Sequence, residues 1–190
     1  MYKVIDLETT GLSDSSEIAQ IAIIDLSDKL NPIGFENRYF NIHGEMPDAA
    51  YRVNKLSKSF LEEQSGGKYF TDCSEEIYGK LCGNTLIAHN TSFEKRILSY
   101  WYGNSLPGTD WICTMIRYTP TVGAKKIGGH GEYKNCNLRE LVSFAISVKG
   151  ISIEMLNALY SKMTGKAINS DWHDALYDTF VTAFAFHVLG

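Results

Sequence analysis

The sequence predicts an α/β fold in which a sheet is covered by helices. Three short strand-like segments with tight connections come first, at residues 2–5, 17–26 and 35–42, an order typical of an antiparallel meander. Short apolar segments then alternate with helical ones, which indicates helices packed on the sheet. The 190 residues fit one domain of ordinary size, so we expect a single domain over residues 1–190.

The three opening segments each have the pattern of a strand. Residues 2–5 are mostly apolar, and Gly11 closes the turn after them because it can adopt a positive φ. Residues 17–26 are rich in isoleucine, and residues 35–42 alternate aromatic and polar side chains. We therefore predict three strands joined as a meander.

The remaining elements follow from helical spacing and capping residues. Apolar residues recur with helical spacing and potential N-cap residues precede several segments, which predicts helices. The predicted helices are residues 54–64, 71–81, 90–102, 137–144, 151–163 and 174–189. Two short buried strands are predicted between them, at residues 85–88 and 111–114.

Residues 120–135 interrupt this alternation. The segment contains Pro120, four glycines and three lysines, and almost no aliphatic side chains. We interpret it as a basic surface loop. Two interpretations of its role stay open, an idle insertion or a lid over phosphates.

Composition narrows the class of protein. The formal net charge of −4 gives no global basic field for nucleic acid, although a site that gathers carboxylates for metals would itself make the charge negative. The four cysteines form no Cys-x-x-Cys pair, which argues against a structural zinc site and favours a reduced, cytoplasmic setting. No apolar run is long enough to span a bilayer, and Asp6 comes too early for a signal peptide. We therefore expect no membrane partner.

Asp6 and Glu8 stand two residues apart at the end of the first strand. Side chains at this spacing point to the same face of a strand. Two adjacent carboxylates repel, and one would take up a proton unless a divalent cation lies between them. A lone Asp-x-Glu is usually only a strand end with solvated acids, so further ligands are needed for a metal site.

Three more residues supply those ligands and a base. Glu94 falls in the first turns of a predicted helix, His173 precedes the last helix, and Asp178 lies within it. Each alone has an ordinary explanation as a helix-end charge, a cap or a solvated face. Asp174 competes with Asp178, since the two are one turn apart. The combination of all these groups predicts a metal site with a histidine beside it.

The motifs around these residues resemble those of the DEDDh exonucleases. This family includes the epsilon proofreading subunit of bacterial DNA polymerase III, RNase T and oligoribonuclease. Asp6-Leu-Glu8-Thr-Thr-Gly11 is similar to its first motif, His89-Asn90-x-x-Phe93 to its second, and His173 to Asp178 to its third. The resemblance implies a ribonuclease H-like fold, with a mixed five-stranded sheet flanked by helices.

The resemblance also implies a reaction, the two-metal hydrolysis of a phosphodiester bond from a 3′ end. Two Mg²⁺ or Mn²⁺ ions would serve as cofactors, and carboxylate oxygens suit them. Asp6 would bridge both ions, Glu8 and Asp178 would complete the first, and Glu94 would serve the second. His173 would act as general base on the attacking water, a task that suits an imidazole.

The sequence departs from the family at Glu94, where the family usually has aspartate. Glutamate is one methylene longer and loses more rotamer freedom when it is fixed. Because Mg²⁺ demands near-ideal octahedral geometry, we expect a slower enzyme or a preference for Mn²⁺.

Substrate contacts are also implied by the resemblance. The residues flanking the first motif would meet the 3′-terminal nucleotide, with Leu12 as a wedge against its base, and two residues of the second motif would organise the site. These residues are Thr9, Thr10, Gly11, Leu12, His89 and Asn90. Candidate neighbours of phosphates are Lys95, Arg96, Lys125, Lys126 and Arg139.

Three functions stay open. The first is an exonuclease on single-stranded DNA 3′ ends in proofreading or repair, similar to the epsilon subunit, and the second is an exoribonuclease that processes RNA 3′ ends. The third, of another class, is a weakened nucleic-acid-binding module, which the change at Glu94 suggests. A DNA polymerase subunit or a second copy of the chain are the candidate protein partners.

Overall fold

A computed structural model describes residues 1–103, 105–123, 133–167 and 173–190. It contains one five-stranded sheet whose strands are β1 (Tyr2–Thr9), β2 (Ile18–Leu26), β3 (Pro32–Tyr39), β4 (Thr85–Ala88) and β5 (Asp110–Cys113). Their order is β3-β2-β1-β4-β5. The β1–β2 and β2–β3 pairs are antiparallel, whereas β1–β4 and β4–β5 are parallel. The predicted mixed sheet, with its opening meander, is confirmed.

Eight helices are described around the sheet. They are α1 (Asp48–Asn54), α2 (Lys58–Ser65), α3 (Phe70–Leu81), α4 (Thr91–Tyr102), α5 (Thr114–Val122), α6 (Leu138–Lys149), α7 (Ile153–Thr164) and α8 (Ala175–Leu189). Within the described ranges, no single helix is long and apolar enough to cross a membrane, and one bent pair, α6 with α7, passes the same test by length and composition.

Apolar side chains on both faces of the sheet form the core. On one face, Val4 and Ile24 pack against α6 and α8. On the other face, Ile5 packs with Ile77 of α3 and with residues of α4. Helix α8 is buried on all its sides from Ala175 to Phe186, as is typical of a helix in the interior. A helix that is apolar all round belongs in the interior, where α6 covers the side away from the sheet.

Strand β1 is longer than predicted because residues 6–9 continue to pair with β2. Glu8 lies opposite Gln20, but Thr9 lies opposite Ile18, so the register shifts between Glu8 and Thr9. An irregularity of this kind re-aims side chains at a strand end, often beside an active site. Here it follows the two carboxylates of the first motif.

The helix predicted at residues 54–64 begins later than expected, since α2 starts at Lys58, and α1 before it was not predicted. Lys55 adopts a left-handed backbone with a φ of 60° and ends α1. Ser57 then caps α2, because its side chain accepts a hydrogen bond from the Phe60 N–H at 3.2 Å. The helix α1 ends at a lysine where a glycine is more common, so no local sequence signal predicts this end.

The predicted loop at residues 120–135 begins later than expected. Helix α5 continues through Pro120 to Val122. Proline near a helix end removes only one backbone hydrogen bond, and the Thr119 hydroxyl donates to the Met115 carbonyl at 2.6 Å beside it. Residues 124–132, which make up most of the segment interpreted as either an idle insertion or a lid, lie outside the described residues.

Candidate active site

Strand β1 carries Asp6 and Glu8 to one end of a cleft of about 840 Å³. Glu8 is only 8% exposed. All eleven residues predicted for the site line this cleft, which we call the acidic cleft. They are Asp6, Glu8, Thr9, Thr10, Gly11, Leu12, His89, Asn90, Glu94, His173 and Asp178. The structure therefore brings the three motifs together, while the chemical role of each residue stays a prediction.

The start of α8 places His173 and Asp178. Asp174 is the N-cap, because its carboxylate accepts hydrogen bonds from the Leu176 and Tyr177 N–H groups at 2.9 and 3.1 Å. This leaves Asp178, as expected, to face the acidic cleft. The Asp178 Oδ2 atom accepts a hydrogen bond from the His173 N–H at 3.2 Å.

His173 has an unusual backbone conformation that directs its ring. Its φ is 80°, in a region that few residues other than glycine adopt. The imidazole is exposed, and one ligand atom from each of Glu8, His173 and Asp178 lies within 4.8 Å of the others. A backbone strained at this point is consistent with a position held for function.

Glu94 reaches the acidic cleft from the first turn of α4. It is 3% exposed. Within the described part of the chain, its Oε2 atom is buried with no hydrogen-bond partner, and the same is true of Asp178 Oδ1. A buried carboxylate oxygen without a donor is unfavourable unless a cation binds it or a proton neutralises it.

Burial raises the pKa values of all four carboxyls, and repulsion by neighbouring carboxylates of the cleft adds to the increase at Asp6 and Glu8. Burial, and then repulsion by Asp178, holds the pKa of Asp6 and of Glu8 well above the ordinary range. Burial raises the pKa of Glu94 to about 8 and that of Asp178 to about 7. The His173 backbone N–H partly opposes the increase at Asp178.

The donor set of the acidic cleft fits hard divalent cations. Four carboxylates converge, and two of their buried oxygens lack donors among the described residues. Oxygen ligands of this kind are those that Mg²⁺ and Mn²⁺ prefer. A bound cation would also relieve the repulsion that raises these pKa values.

His89 holds the end of β4 to the segment before α6. Its Nδ1 atom lies 3.1 Å from the Thr114 hydroxyl, and its Nε2 atom lies 3.2 Å from the Cys136 carbonyl. A carbonyl only accepts, so Nε2 carries the proton and Nδ1 accepts from the hydroxyl. Burial lowers the pKa of His89 to about 4, so the ring is neutral at physiological pH. These contacts favour an organising role.

The turn after β1 forms one rim of the acidic cleft. The Thr9 hydroxyl donates to the Gly11 carbonyl at 2.6 Å, and the Thr10 hydroxyl accepts from the Glu17 N–H at 2.9 Å. Leu12, at the tip of this turn, is 77% exposed. An aliphatic side chain left in solvent beside a cleft is available to contact a ligand.

Several lining residues were missed by the sequence analysis. The missed residues of the acidic cleft are Pro47, Ala49, Ala50, Val53, Asn54, Met115, Asn137 and Leu138. Five of them come from α1 and the proline before it, and only Asn54 among these five falls in a predicted helix. Phe93, part of the second motif, also lines the cleft. No spacing pattern in the sequence links these residues to the carboxylates.

The described basic residues that were predicted to lie near phosphates do not line the acidic cleft with the carboxylates. No lysine or arginine in the described ranges lines the acidic cleft. The Lys95 ammonium lies 5.4 Å from the centre of the Trp111 ring, and Arg96 lies 3.5 Å from Asp14. Arg139 lies close enough to contribute, after burial, to lowering the pKa of His173. Lys125 and Lys126 lie outside the described residues.

The fold and the site together define a class, that of carboxylate-rich nucleases built on a ribonuclease H-like sheet. The model of the RNase T exonuclease family matches residues 4–102. The chain belongs to this family, the DEDDh-type 3′-5′ exonucleases, and is an exonuclease domain of that class. The predicted resemblance is confirmed.

Two curated relatives illustrate the similarity. The DNA polymerase III subunit epsilon of Rickettsia prowazekii is 27% identical over 99 residues, which cover 51% of this chain and 42% of the relative. Exodeoxyribonuclease 10 of Escherichia coli K12 is 25% identical over 190 residues, which cover 96% of this chain and 66% of the relative. The chain thus spans less than half the length of the epsilon relative.

Solved structures support the fold. Exonuclease X in complex with 5′ overhanging duplex DNA matches with a TM-score of 0.64 at 20% identity, over 98% of this chain and 89% of that chain. Exonuclease I of E. coli in complex with a dT13 oligonucleotide matches with a TM-score of 0.67 at 17% identity, over 99% of this chain and 40% of that chain. At these identities the similarity establishes the ribonuclease H-like architecture.

Proposed function

We propose that this protein is a divalent-metal-dependent exonuclease that hydrolyses phosphodiester bonds at the 3′ ends of single-stranded DNA. The observation that carries the proposal is the convergence of four carboxylates, three of them buried (Glu8, Glu94 and Asp178) and one partly buried (Asp6), with one exposed imidazole in the acidic cleft. Such a cluster is unfavourable in a protein that only folds or only binds, because its charges repel. It is the arrangement that metal-assisted hydrolysis requires.

The four carboxylates would hold the metal ions. Asp6, Glu8 and Asp178 belong to elements that meet at the end of β1, and Glu94 approaches from α4. Two bound Mg²⁺ or Mn²⁺ ions would stabilise the charge that develops on the attacking and leaving oxygens of the phosphodiester. The longer Glu94 side chain supports a preference for Mn²⁺, which tolerates departures from ideal geometry better than Mg²⁺ does.

His173 is the proposed general base. Partial desolvation at the mouth of the cleft, and then the nearby Arg139, lowers the pKa of its imidazole, which favours the neutral ring that can accept a proton. The hydrogen bond from its own N–H to Asp178 holds the residue at the rim of the acidic cleft. The ring is exposed and can therefore pass the proton to solvent after the water attacks.

The apolar side of the acidic cleft would receive the terminal nucleotide. Leu12, Val53 and Phe93 line it together with the small side chains of α1. Apolar and aromatic surfaces accept an unstacked base without reading its identity. A duplex end would have to fray before a base could enter, so we favour single-stranded ends. The exonuclease structures in complex with DNA, and the relative named exodeoxyribonuclease, support DNA over RNA.

A polymerase partner is a further proposal by analogy. Several relatives are named as subunits of DNA polymerase III. Co-purification of this protein with a replicative polymerase from its source would support the analogy. A protein that runs as a monomer, or as a homodimer, through size-exclusion chromatography of such an extract would contradict it.

The decisive experiment uses 3′-labelled and 5′-labelled single-stranded DNA and RNA of one sequence, with Mg²⁺, Mn²⁺ or EDTA. We expect stepwise, metal-dependent shortening from the 3′ end, faster on DNA and faster with Mn²⁺. Faster shortening of RNA would establish the exoribonuclease alternative. Binding without cleavage in either metal would establish the binding module instead. An Asp6→Asn variant controls for a contaminating nuclease.

A further inference from the structure

Gln20 is a polar side chain inside a strand that is otherwise almost entirely apolar. It lies in the first half of β2 and is 0% exposed. A buried amide is unfavourable unless both its donor and its acceptor are used. Leucine or methionine would fill the same volume without this requirement, so packing alone does not explain the glutamine.

Both ends of the Gln20 amide are used, and they join distant elements. Its Nε2 atom donates to the Asn37 Oδ1 atom of β3 at 2.9 Å. Its Oε1 atom accepts from the Ala175 N–H at 3.3 Å, across 155 residues of sequence. Ala175 is the first residue of α8. Gln20 therefore connects the sheet to the beginning of the helix that carries the third motif.

The Ala175 N–H is one of the groups that a helix cannot satisfy by itself. The first N–H groups of any helix lack intrahelical acceptors. Asp174 accepts two of them, from Leu176 and Tyr177. Gln20 accepts the one from Ala175. The first turn of α8 is thus fixed by one side chain of its own and one from the sheet.

That same turn holds the reacting groups of the third motif. His173 and Asp178 are joined by the hydrogen bond from the His173 N–H to Asp178 Oδ2. Any movement of the turn along the sheet would displace both of them together. The Gln20 contact opposes such a movement.

Gln20 also lies beside the first motif. It is the cross-strand partner of Glu8 in the β1–β2 ladder, and directly opposite residues share a face of the sheet. Ligand atoms of Glu8, His173 and Asp178 already lie within 4.8 Å of one another. One amide therefore lies next to a carboxylate from the first strand and holds the helix that supplies the other two groups.

We propose that Gln20 is a positioning residue of the acidic cleft. By accepting the Ala175 N–H, it sets the position of Asp178 and His173 relative to Glu8. The affinity of the site for a divalent ion and the rate of hydrolysis depend on this position. This inference rests on the proposed function for its kinetic part, and on the carboxylates alone for its metal-binding part.

The test compares Gln20→Met with Asn37→Ala in the full chain. Methionine keeps the volume and removes both hydrogen bonds, whereas Asn37→Ala removes only the contact to β3 and leaves Ala175 held. We expect Gln20→Met to weaken Mn²⁺ binding, measured by calorimetry, by about 10–100-fold, as for other residues that orient metal ligands. We expect kcat on a single-stranded oligonucleotide to fall similarly, with KM little changed. Asn37→Ala should retain the Mn²⁺ affinity and the kcat of the wild type.

A conservative variant guards against a general folding defect. Gln20→Glu keeps an oxygen that can accept the Ala175 N–H, so at equal Tm it should retain more kcat than Gln20→Met; the comparison uses kcat alone, because the added carboxylate lies opposite Glu8 and would itself be a ligand for Mn²⁺. Equal losses in Gln20→Met and Asn37→Ala would overturn the proposal, as would a lower Tm with unchanged Mn²⁺ affinity.

The two proposals fail separately. If the wild-type protein binds Mn²⁺ but cleaves no nucleic acid, the proposed function falls, and loss of Mn²⁺ affinity in Gln20→Met still supports the positioning role. If the wild-type protein cleaves DNA and Gln20→Met matches it in kcat and Mn²⁺ affinity, only the positioning role falls.

Discussion

Two groups of charged side chains in this protein differ in the direction in which the pKa values of their carboxyls are shifted. The first is an outer ion-pair cluster on β3 and α3, formed by Glu36, Arg38, Glu76 and Lys80. Arg38 donates to Glu76 Oε2 at 2.7 Å, and the Lys80 ammonium lies 2.6 Å from a Glu36 oxygen. The hydrogen bond from Arg38 lowers the pKa of Glu76 to about 2.

The acidic cleft is the second group, and its pKa values move the other way. Burial raises the pKa of Asp178 to about 7 and that of Glu94 to about 8. The outer cluster balances its own charges, whereas the acidic cleft contains acids without a lysine or arginine from the described ranges. The sign imbalance of a buried cluster, more than its density of charge, therefore marks the functional site.

The largest effect should come from neutralising a central carboxylate. We expect Asp6→Asn to lower the exonuclease rate by roughly 10³-fold or more, since metal ions supply several kcal/mol of charge stabilisation in such reactions. Asp25→Asn is the matched control, because Asp25 pairs with Lys3 on the same sheet, outside the acidic cleft. A rate for Asp6→Asn close to that of Asp25→Asn would show that a carboxylate of the acidic cleft matters no more for catalysis than a carboxylate outside it.

Removing the proposed base should have the next largest effect. We expect His173→Asn to lower kcat by about 10²–10⁴-fold. Asparagine tolerates the positive φ of this position and keeps the backbone N–H that binds Asp178, so the change isolates the imidazole. His173→Ala should give a similar loss. An undiminished rate in single-turnover assays would contradict the assignment of His173 as the general base.

Shortening the unusual ligand tests the geometry of the site. We expect Glu94→Asp to leave activity within about tenfold of the wild type or to raise it, with a relative gain in Mg²⁺ over Mn²⁺, because Mg²⁺ is less tolerant of ligand geometry. Rates in the two metals, measured side by side, give the ratio. Complete inactivity in both would mean that the longer side chain is required.

The raised pKa values predict how stability changes with pH in the metal-free protein. A carboxyl whose folded pKa is raised binds its proton more tightly when folded, so the stabilising effect of protonated Asp178 is lost as pH rises from about 4 to about 7. We expect Tm in EDTA to fall by roughly 5 °C across this window relative to Asp178→Asn. Mn²⁺ should restore Tm more at pH 8 than at pH 5. An equal increase in Tm on addition of Mn²⁺ at pH 5 and at pH 8 would contradict this explanation of the pH dependence.

The smallest effect should come from the outer ion-pair cluster. We expect Glu76→Ala to leave the exonuclease rate unchanged and to shift Tm by no more than about 2 °C, because exposed ion pairs contribute little. Thermal melts at low and high salt provide the measurement. A large loss of stability would show that the outer ion-pair cluster contributes more to the free energy of unfolding than we expect.

Local patterns were sufficient to predict the opening meander and to select acidic residues that the fold brings into one cleft. Asp6 and Glu8 share a strand face because of their spacing, whereas the mixed five-stranded sheet was implied by the resemblance to the family. The end of α1 was missed because Lys55, and no glycine, adopts the left-handed conformation there. The continuation of α5 through Pro120 was missed because proline usually ends a helix.

Long-range contacts could not be predicted from the sequence alone. Gln20 is read locally as one polar residue in an apolar strand, and its partner at Ala175 is set by how α8 packs on the sheet. The same holds for the α1 wall of the acidic cleft, whose small side chains have no chemical signature. These contacts depend on tertiary packing, which no spacing rule encodes.

The order of the elements has a consequence for synthesis of the protein. The acidic cleft joins β1, at residues 2–9, with α8, which begins at residue 175. A nascent chain that still lacks α8 has Asp6, Glu8 and Glu94 but neither Asp178 nor the imidazole of His173. We therefore expect a ribosome-bound chain to be inert until the last helix docks. The candidate active site is therefore completed only after α8 has been synthesised and has docked on the sheet.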